Sequence, residues 1–220
     1  MACCKIITKF ARYILMRRLI NIALSAVVVC ATAFVVSCSN ETDTTLTSQQ
    51  SNIEKYLQNS HQPRLIPESK IGESLEENPE YYTQWGLDIF RYITTMYDEG
   101  RNELPVIKSG DSIAITYSAY IFTGSKPSID NLFATNDAQY IEQLKGEGLN
   151  TEYEWSSEPK VVKVGSDDLL ASLSTALVGC HEGDTVEIYL TYKQAYGKHY
   201  VGDVPSRSPQ VWIITINDII

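Results

Sequence analysis

The sequence predicts an α+β domain, an antiparallel β-sheet wrapped around one short helix, preceded by a signal segment and a partly disordered tether. Three observations predict it. Between Gly165 and Gly197 an apolar helical period ends at a glycine, and after a tight turn it gives way to strict alternation. Further alternating runs lie at 112–122 and 210–216. Ahead of them, residues 1–52 hold an apolar run and then a polar stretch with no helical or strand period.

Residues 1–37 read as an export signal. The run at 19–36 is interrupted only by Asn21, Ser25 and Thr32, and Arg17 and Arg18 precede it. Met16-Arg17-Arg18 is the more usual start of such a signal, so translation is expected to begin at Met16. A spanning helix of about 20 apolar residues is the alternative reading. Val35-Val36-Ser37-Cys38 looks like a bacterial lipobox. Cleavage before Cys38 and acylation of its sulfur would leave a lipid-anchored chain whose membrane partner is reached through that lipid. Ser39, rather than Asp, after the cysteine favours the outer membrane. Glu41 and Asp43 resemble the acidic surface-export signals of Bacteroidetes, which leaves periplasmic and outward facing both open.

Residues 38–52 are rich in Ser, Thr, Asn and Gln and read as a flexible tether. Residues 53–85 form an N-terminal extension: a short helix over 53–57 beginning near Ser51, then loops around Pro63, Pro67 and Pro79, with a turn of helix at 72–76. The main domain is expected over 86–220. Its first run, GLDIFRYITTMY at 86–97, fits a helix by the spacing of Leu87, Phe90 and Ile93, and a strand by its β-branched and aromatic residues. Ile113, Ile115 and Tyr117 alternate on one face of the next strand. Residues 137–159 form an insert with a short helix at 138–145, and 161–164 are a strand. Asp167 and Asp168 suit a helix N-terminus. Leu169, Leu170, Leu173, Ala176 and Leu177 form the buried face of that helix, and Gly179 ends it. Val186, Ile188 and Leu190 then point inward, with Glu187, Tyr189 and Thr191 toward solvent. In the closing strand Trp212, Ile214 and Ile216 share one side.

Composition narrows the function. The formal charge is −9, and residues 1–37 contain five basic residues and no acid, so the remainder is more acidic still. Such a surface repels nucleic acid, and no nucleic-acid partner is expected. Cys3, Cys4 and Cys30 fall in the signal and Cys38 is acylated, so Cys180 is left without a disulfide partner and reads as a small packed residue. His61, His181 and His199 are far apart, no metal-ligand spacing occurs, and no cofactor is expected. There is no phosphate-binding Gly-Lys-Ser/Thr loop and no Gly-x-Ser-x-Gly elbow.

The stretch GSDDLLASLSTALVGCHEGDTVEIYLTYKQAYG at 165–197 has the helix length, the Gly-Asp turn and the Ala195-Tyr196-Gly197 ending of FKBP-type peptidyl-prolyl cis-trans isomerases. Gly110-Asp111 leading to Tyr117 resembles that family's pocket strand, and Leu132-Phe133-Ala134-Thr135-Asn136 resembles its Phe-Asp-Ser/Thr-Asn segment. The resemblance covers 86–220 and decides for a strand at 86–97. It implies a prolyl site formed by Tyr117, Phe133, Leu169, Leu170, Leu173, Tyr196 and Trp212, with Val204 at the mouth. It further implies that the Tyr196 hydroxyl and the Leu170 N–H hold substrate carbonyls, that Leu173 is the floor, and that proline-containing polypeptides are the substrates. The chain departs from the family at Leu173, where the floor is usually Trp, at Ala134, where an Asp is usual, and at Lys160, where a wall aromatic is usual. The expected function is therefore a folding isomerase of the cell envelope, working by apolar desolvation. The alternative is a catalytically weak binding module or chaperone for proline-containing or unfolded chains.

Overall fold

The computed structural model describes residues 44–147 and 155–220. The signal segment, Cys38 and the tether up to Asp43 lie outside the described residues. Helix α1 (Thr44–Asn59) comes first, followed by β1 (Ile66–Pro67), β2 (Tyr81–Trp85), β3 (Ile89–Ile93), β4 (Ser112–Ile121) and β5 (Leu132–Thr135). Helix α2 (Ala138–Gly146), β6 (Lys160–Lys163), α3 (Ala171–Leu177), β7 (Thr185–Leu190) and β8 (Gln210–Ile219) complete the order. The strands make one sheet ordered β1-β2-β3-β7-β8-β4-β5, with β6 also paired to β4. Only β1 and β2 run parallel; the other pairs are antiparallel.

Side-chain alternation explains why both faces of this sheet are covered. Val186, Ile188 and Leu190 of β7, with Trp212, Ile214 and Ile216 of β8, join Leu173, Ala176 and Leu177 of α3 in one core. Tyr189 and Val211, one residue out of phase, face the other way and join Ile53, Tyr56 and Leu57 of α1. The Tyr56, Phe122 and Tyr189 rings meet there with centroids 5.3–5.8 Å apart. Tyr189, expected to face solvent, is therefore completely buried.

Helix α3 is shorter than its sequence suggests. It begins at Ala171 with Leu170 in the cap position, so Leu169 and Leu170 precede it and neither Asp167 nor Asp168 caps it. The Asp168 carboxylate instead accepts from the Ser166 hydroxyl, 2.9 Å away. Such local turns compete with helix initiation. At the other end Gly179 has φ +84°, the left-handed conformation that closes a helix without a Cβ clash. Cys180 follows, fully buried, and burial first of all pushes its thiol up to about 11.

The N-terminal part differs most from the sequence reading. The helix is already formed at Thr44, the first described residue, rather than beginning near Ser51, so residues 44–52 are helix instead of tether. Strand β2 occupies what reads as loop, and Glu68–Glu73 form a 3₁₀ turn. Because β1, β2 and β3 extend the same sheet, the division into an extension at 53–85 and a domain at 86–220 falls in the turn between two paired strands of one sheet.

A polar latch fixes the end of α1. His61 is 5% exposed; its Nε2 lies 3.0 Å from a Glu187 carboxylate oxygen and its Nδ1 2.5 Å from the Pro63 carbonyl. Tyr189 donates to the same Glu187 oxygen at 2.6 Å, and Tyr92 donates to Glu80 at 3.0 Å. Burial alone lowers the His61 pKa. The hydrogen bonds to Glu187 and Pro63 and the charges of Glu187 and Glu80 outweigh it, and the pKa is raised. Its contribution is fully present below an unfolded pKa of about 6.5 and is lost as pH rises through the raised folded value. The urea midpoint should accordingly fall between pH 6 and pH 9, and His61→Gln should flatten that fall. A His61→Gln profile parallel to wild type would show that the latch contributes nothing.

Candidate functional site

Strand β4 is paired on one edge by two different strands. Its first half, Ser112 to Ile115, pairs with β6, and its second half, from Ser118, pairs with β5. Asn136 fills the break between them. Its Oδ1 accepts from the Tyr117 N–H at 2.6 Å, and its Nδ2 donates to the carbonyls of Ile115 and Glu158 at 2.9 and 3.0 Å. One buried amide thus holds the backbone of Tyr117 and pins the end of the 137–159 insert beside it.

Above this break lies a cavity of about 780 Å³. Tyr117, Phe133 and Tyr196 supply its aromatic wall, and Val201 and Val204 close one side. The opposite wall comes from the insert and β6: Leu144, Glu147, Trp155, Glu158, Pro159 and Lys160. Tyr117 and Trp212 are 5.6 Å apart, Phe133 and Trp212 5.8 Å, and Phe133 and Tyr196 6.1 Å between ring centroids. These are the offset and edge-on spacings that aromatic quadrupoles favour. Register sets up the first contact. Trp212 pairs with Ala119 and Ile214 with Tyr117, so Trp212 and Tyr117 are diagonal neighbours on one face.

The two phenols that border the cavity are chemically poised. Neither the Tyr117 nor the Tyr196 hydroxyl has a hydrogen-bond partner among the described residues. Desolvation raises both pKa values, and the neighbouring Tyr117 adds to the shift at Tyr196. Both therefore stay protonated at neutral pH and can donate to a carbonyl brought into the cavity.

Of the eight pocket residues read from the sequence, Tyr117, Phe133, Tyr196 and Val204 line this cavity and the other four do not. Trp212 is 8% exposed and supports the wall from beneath, its Nε1 donating to Gln210 at 2.9 Å. Leu173 is fully buried in the core, so it is packing under the wall and not an open floor. Leu169 lines a separate depression of about 300 Å³ beside Gly165. Leu170 packs on the core. Its N–H makes no backbone hydrogen bond among the described residues, which leaves it available but away from the large cavity. Sequence reasoning missed Leu144, Trp155 and Pro159. The signal was a lone tryptophan in the polar stretch TEYEWSSEP, a side chain that a purely solvated loop has no use for.

The sheet packs over a short helix, and an aromatic cavity lies at the strand break with Tyr196 and Gly202 of the β7–β8 loop in its lining. Residues 106–217, more than half of the chain, match the family of FKBP-type peptidyl-prolyl cis-trans isomerases, and the chain belongs to that family. No curated protein matches the chain.

Proposed function

We propose that this protein catalyses cis–trans isomerisation of X–Pro bonds in polypeptides of the bacterial cell envelope, where a lipid on Cys38 holds it. The observation that carries the reading is the cavity itself, lined by Tyr117, Phe133 and Tyr196, two of them phenols without a hydrogen-bond partner among the described residues. Rotation about the peptide bond faces a barrier of about 18–20 kcal/mol for loss of amide resonance. The planar amide is the more charge-separated form, so an apolar site favours the twisted one. Phe133 and Tyr117 would cover the prolyl ring, Val204 would limit the mouth, and the Tyr196 hydroxyl would hold a carbonyl of the substrate. Each ~1.4 kcal/mol of preference for the twisted form gives a tenfold rate gain. No bond is broken and no proton moves in the net reaction, so the chemistry calls for no metal or cofactor.

A second reading is favoured by the sealed floor. Leu173 is fully buried and Ala134 replaces a polar partner, which suits a weakly catalytic holder of proline-containing chains. The two differ in stoichiometry. An isomerase should speed the proline-limited refolding of a test protein at a small fraction of its concentration. A holder should suppress aggregation only near one-to-one and leave the refolding rate unchanged, and that result would replace the first reading by the second.

The anchor is supported by the apolar 19–36 run and the Val35-Val36-Ser37-Cys38 sequence. Labelled fatty acid should attach to the wild-type chain in a bacterial host and not to Cys38→Ala. Equal labelling of both, or of neither, would refute it.

A further inference from the structure

The loop between β7 and β8 carries Tyr196 and Val204, and with Val201, Gly202 and Asp203 it forms one side of the cavity. Short-range turns and a Val201–Val204 bridge shape it from within, and two of its bonds join its ends to Gly197. The Gly197 N–H donates to the Tyr192 carbonyl at 2.8 Å, and the Arg207 N–H donates to the Gly197 carbonyl at 2.9 Å. Ser172 holds the near end by donating to the Gln194 carbonyl at 2.6 Å. Arg207 has φ +60°, the one non-glycine residue at positive φ among the described residues, so its conformation needs support from its surroundings.

That support comes from the far side of the chain. The Gln49 side-chain oxygen accepts from the Tyr192 N–H at 2.8 Å, while its Nε2 donates to the Arg207 carbonyl at 2.9 Å. A single amide therefore clasps both ends of the segment that bears Tyr196 and Val204, with Gly197 linking those ends from within. Gln49 lies on α1, outside the residues matched to the family, so this clasp belongs to the extension of this chain. The neighbouring Gln50 donates to the Leu87 carbonyl. The Asp88 carbonyl and carboxylate in turn take the N–H and hydroxyl of Thr191, both at 3.0 Å. The base of the loop is thus tied to α1 from two sides. Both functional groups of the Gln49 amide are used, which a solvated surface glutamine does not require.

We infer that Gln49 is a positioning residue for the isomerase site: through its clasp, α1 sets where Tyr196 and Val204 stand against the fixed wall of Tyr117 and Phe133. The inference rests on the isomerase reading above. Gln49 touches no substrate; it acts by holding the Tyr192–Arg207 segment. Glu at this position keeps the acceptor for Tyr192 and loses the donor for Arg207. Met, of similar length, loses both.

The test compares the full-length wild-type protein with Gln49→Met, Gln49→Glu and, as an exposed control on the same helix, Ser51→Ala. Urea unfolding shows that each folds, and an Ala-Leu-Pro-Phe peptide series gives kcat and KM. Gln49→Met should lower kcat roughly tenfold, since a misplacement of about an ångström can cost about a hundredfold and the loop keeps its own internal turns. KM should change by less than roughly twofold, because the Tyr117 and Phe133 wall stays in place. Gln49→Glu should fall between, Ser51→Ala should match wild type, and amide exchange at Tyr192 should quicken in Gln49→Met. An unchanged kcat in a folded Gln49→Met overturns the inference and leaves the isomerase reading standing. A wild type that accelerates nothing sinks that reading instead. The inference is then decided by amide exchange, and equal exchange at Tyr192 in wild type and Gln49→Met overturns it.

Discussion

Asp184→Ala should lower the unfolding free energy by about 3–5 kcal/mol, the cost of stranding a buried charge. Asp184 is 1% exposed and Arg101 7%. Arg101 Nε and Nη2 each donate to a separate Asp184 carboxylate oxygen at 2.7 Å, the paired geometry that fits a guanidinium best. The Thr95 hydroxyl and the His181 N–H donate to the same carboxylate at 3.1 and 2.7 Å. The hydrogen bond from Arg101 to Asp184, foremost, raises the arginine pKa. Alanine would leave Arg101 charged and dry and two further donors unpaired. Against a typical domain stability of about 5–15 kcal/mol this is a large loss. Urea unfolding of the full chain reads it directly. Replacing both partners by apolar residues of similar volume should restore much of the loss. A single-variant change below about 1 kcal/mol would mean that water reaches the pair.

The second large effect lies on the face of the sheet that α1 covers. Ile53→Ala and Leu57→Ala should each cost about 2–5 kcal/mol, while Lys55→Ala between them should stay within about 0.5 kcal/mol. Ile53 and Leu57 are both completely buried and, four residues apart, sit on one side of α1 against Phe90, Tyr120, Phe122 and Tyr189. Lys55 is exposed. The double variant should lose less than the sum, because the two residues share one cavity. If α1 were a loosely held appendage, all three variants would unfold at the wild-type urea concentration, and the sheet would not depend on its N-terminal cover. This result also bears on the shape of any fragment used to study the site. A chain begun after α1 would expose Tyr189 and Phe122 to water.

From β4 onward the fold is legible in the sequence because Ile113, Ile115 and Tyr117, then Val186, Ile188 and Leu190, alternate without interruption. Helix α1 was not legible at its start. Its described first turns are Ser, Thr and Gln apart from Leu46, and what holds them is tertiary: Gln49 and Gln50 bond to loops further along the chain. Tyr189 reads as solvent-facing because its cover, Ile53, Tyr56 and Leu57, is far away in sequence and leaves no trace in the alternation of β7. At the site, Tyr117, Phe133, Tyr196 and Val204 are recognisable only because the segments around them resemble those of the family. The insert wall was not, because nothing local to Trp155 or Leu144 shows which surface they meet. Leu173 occupies the expected position in sequence, yet it is buried in the core that Trp212 shares and does not line the cavity.

Exchange spectroscopy on a proline peptide, with cis and trans signals resolved, measures the central claim most directly. The full-length protein should raise the interconversion rate well above the buffer value, Phe133→Ala should lower the gain roughly tenfold, and Tyr196→Phe should lower it less, by about one neutral hydrogen bond. A wild-type rate equal to buffer, or a Phe133→Ala rate equal to wild type, would contradict the assignment of turnover to this cavity.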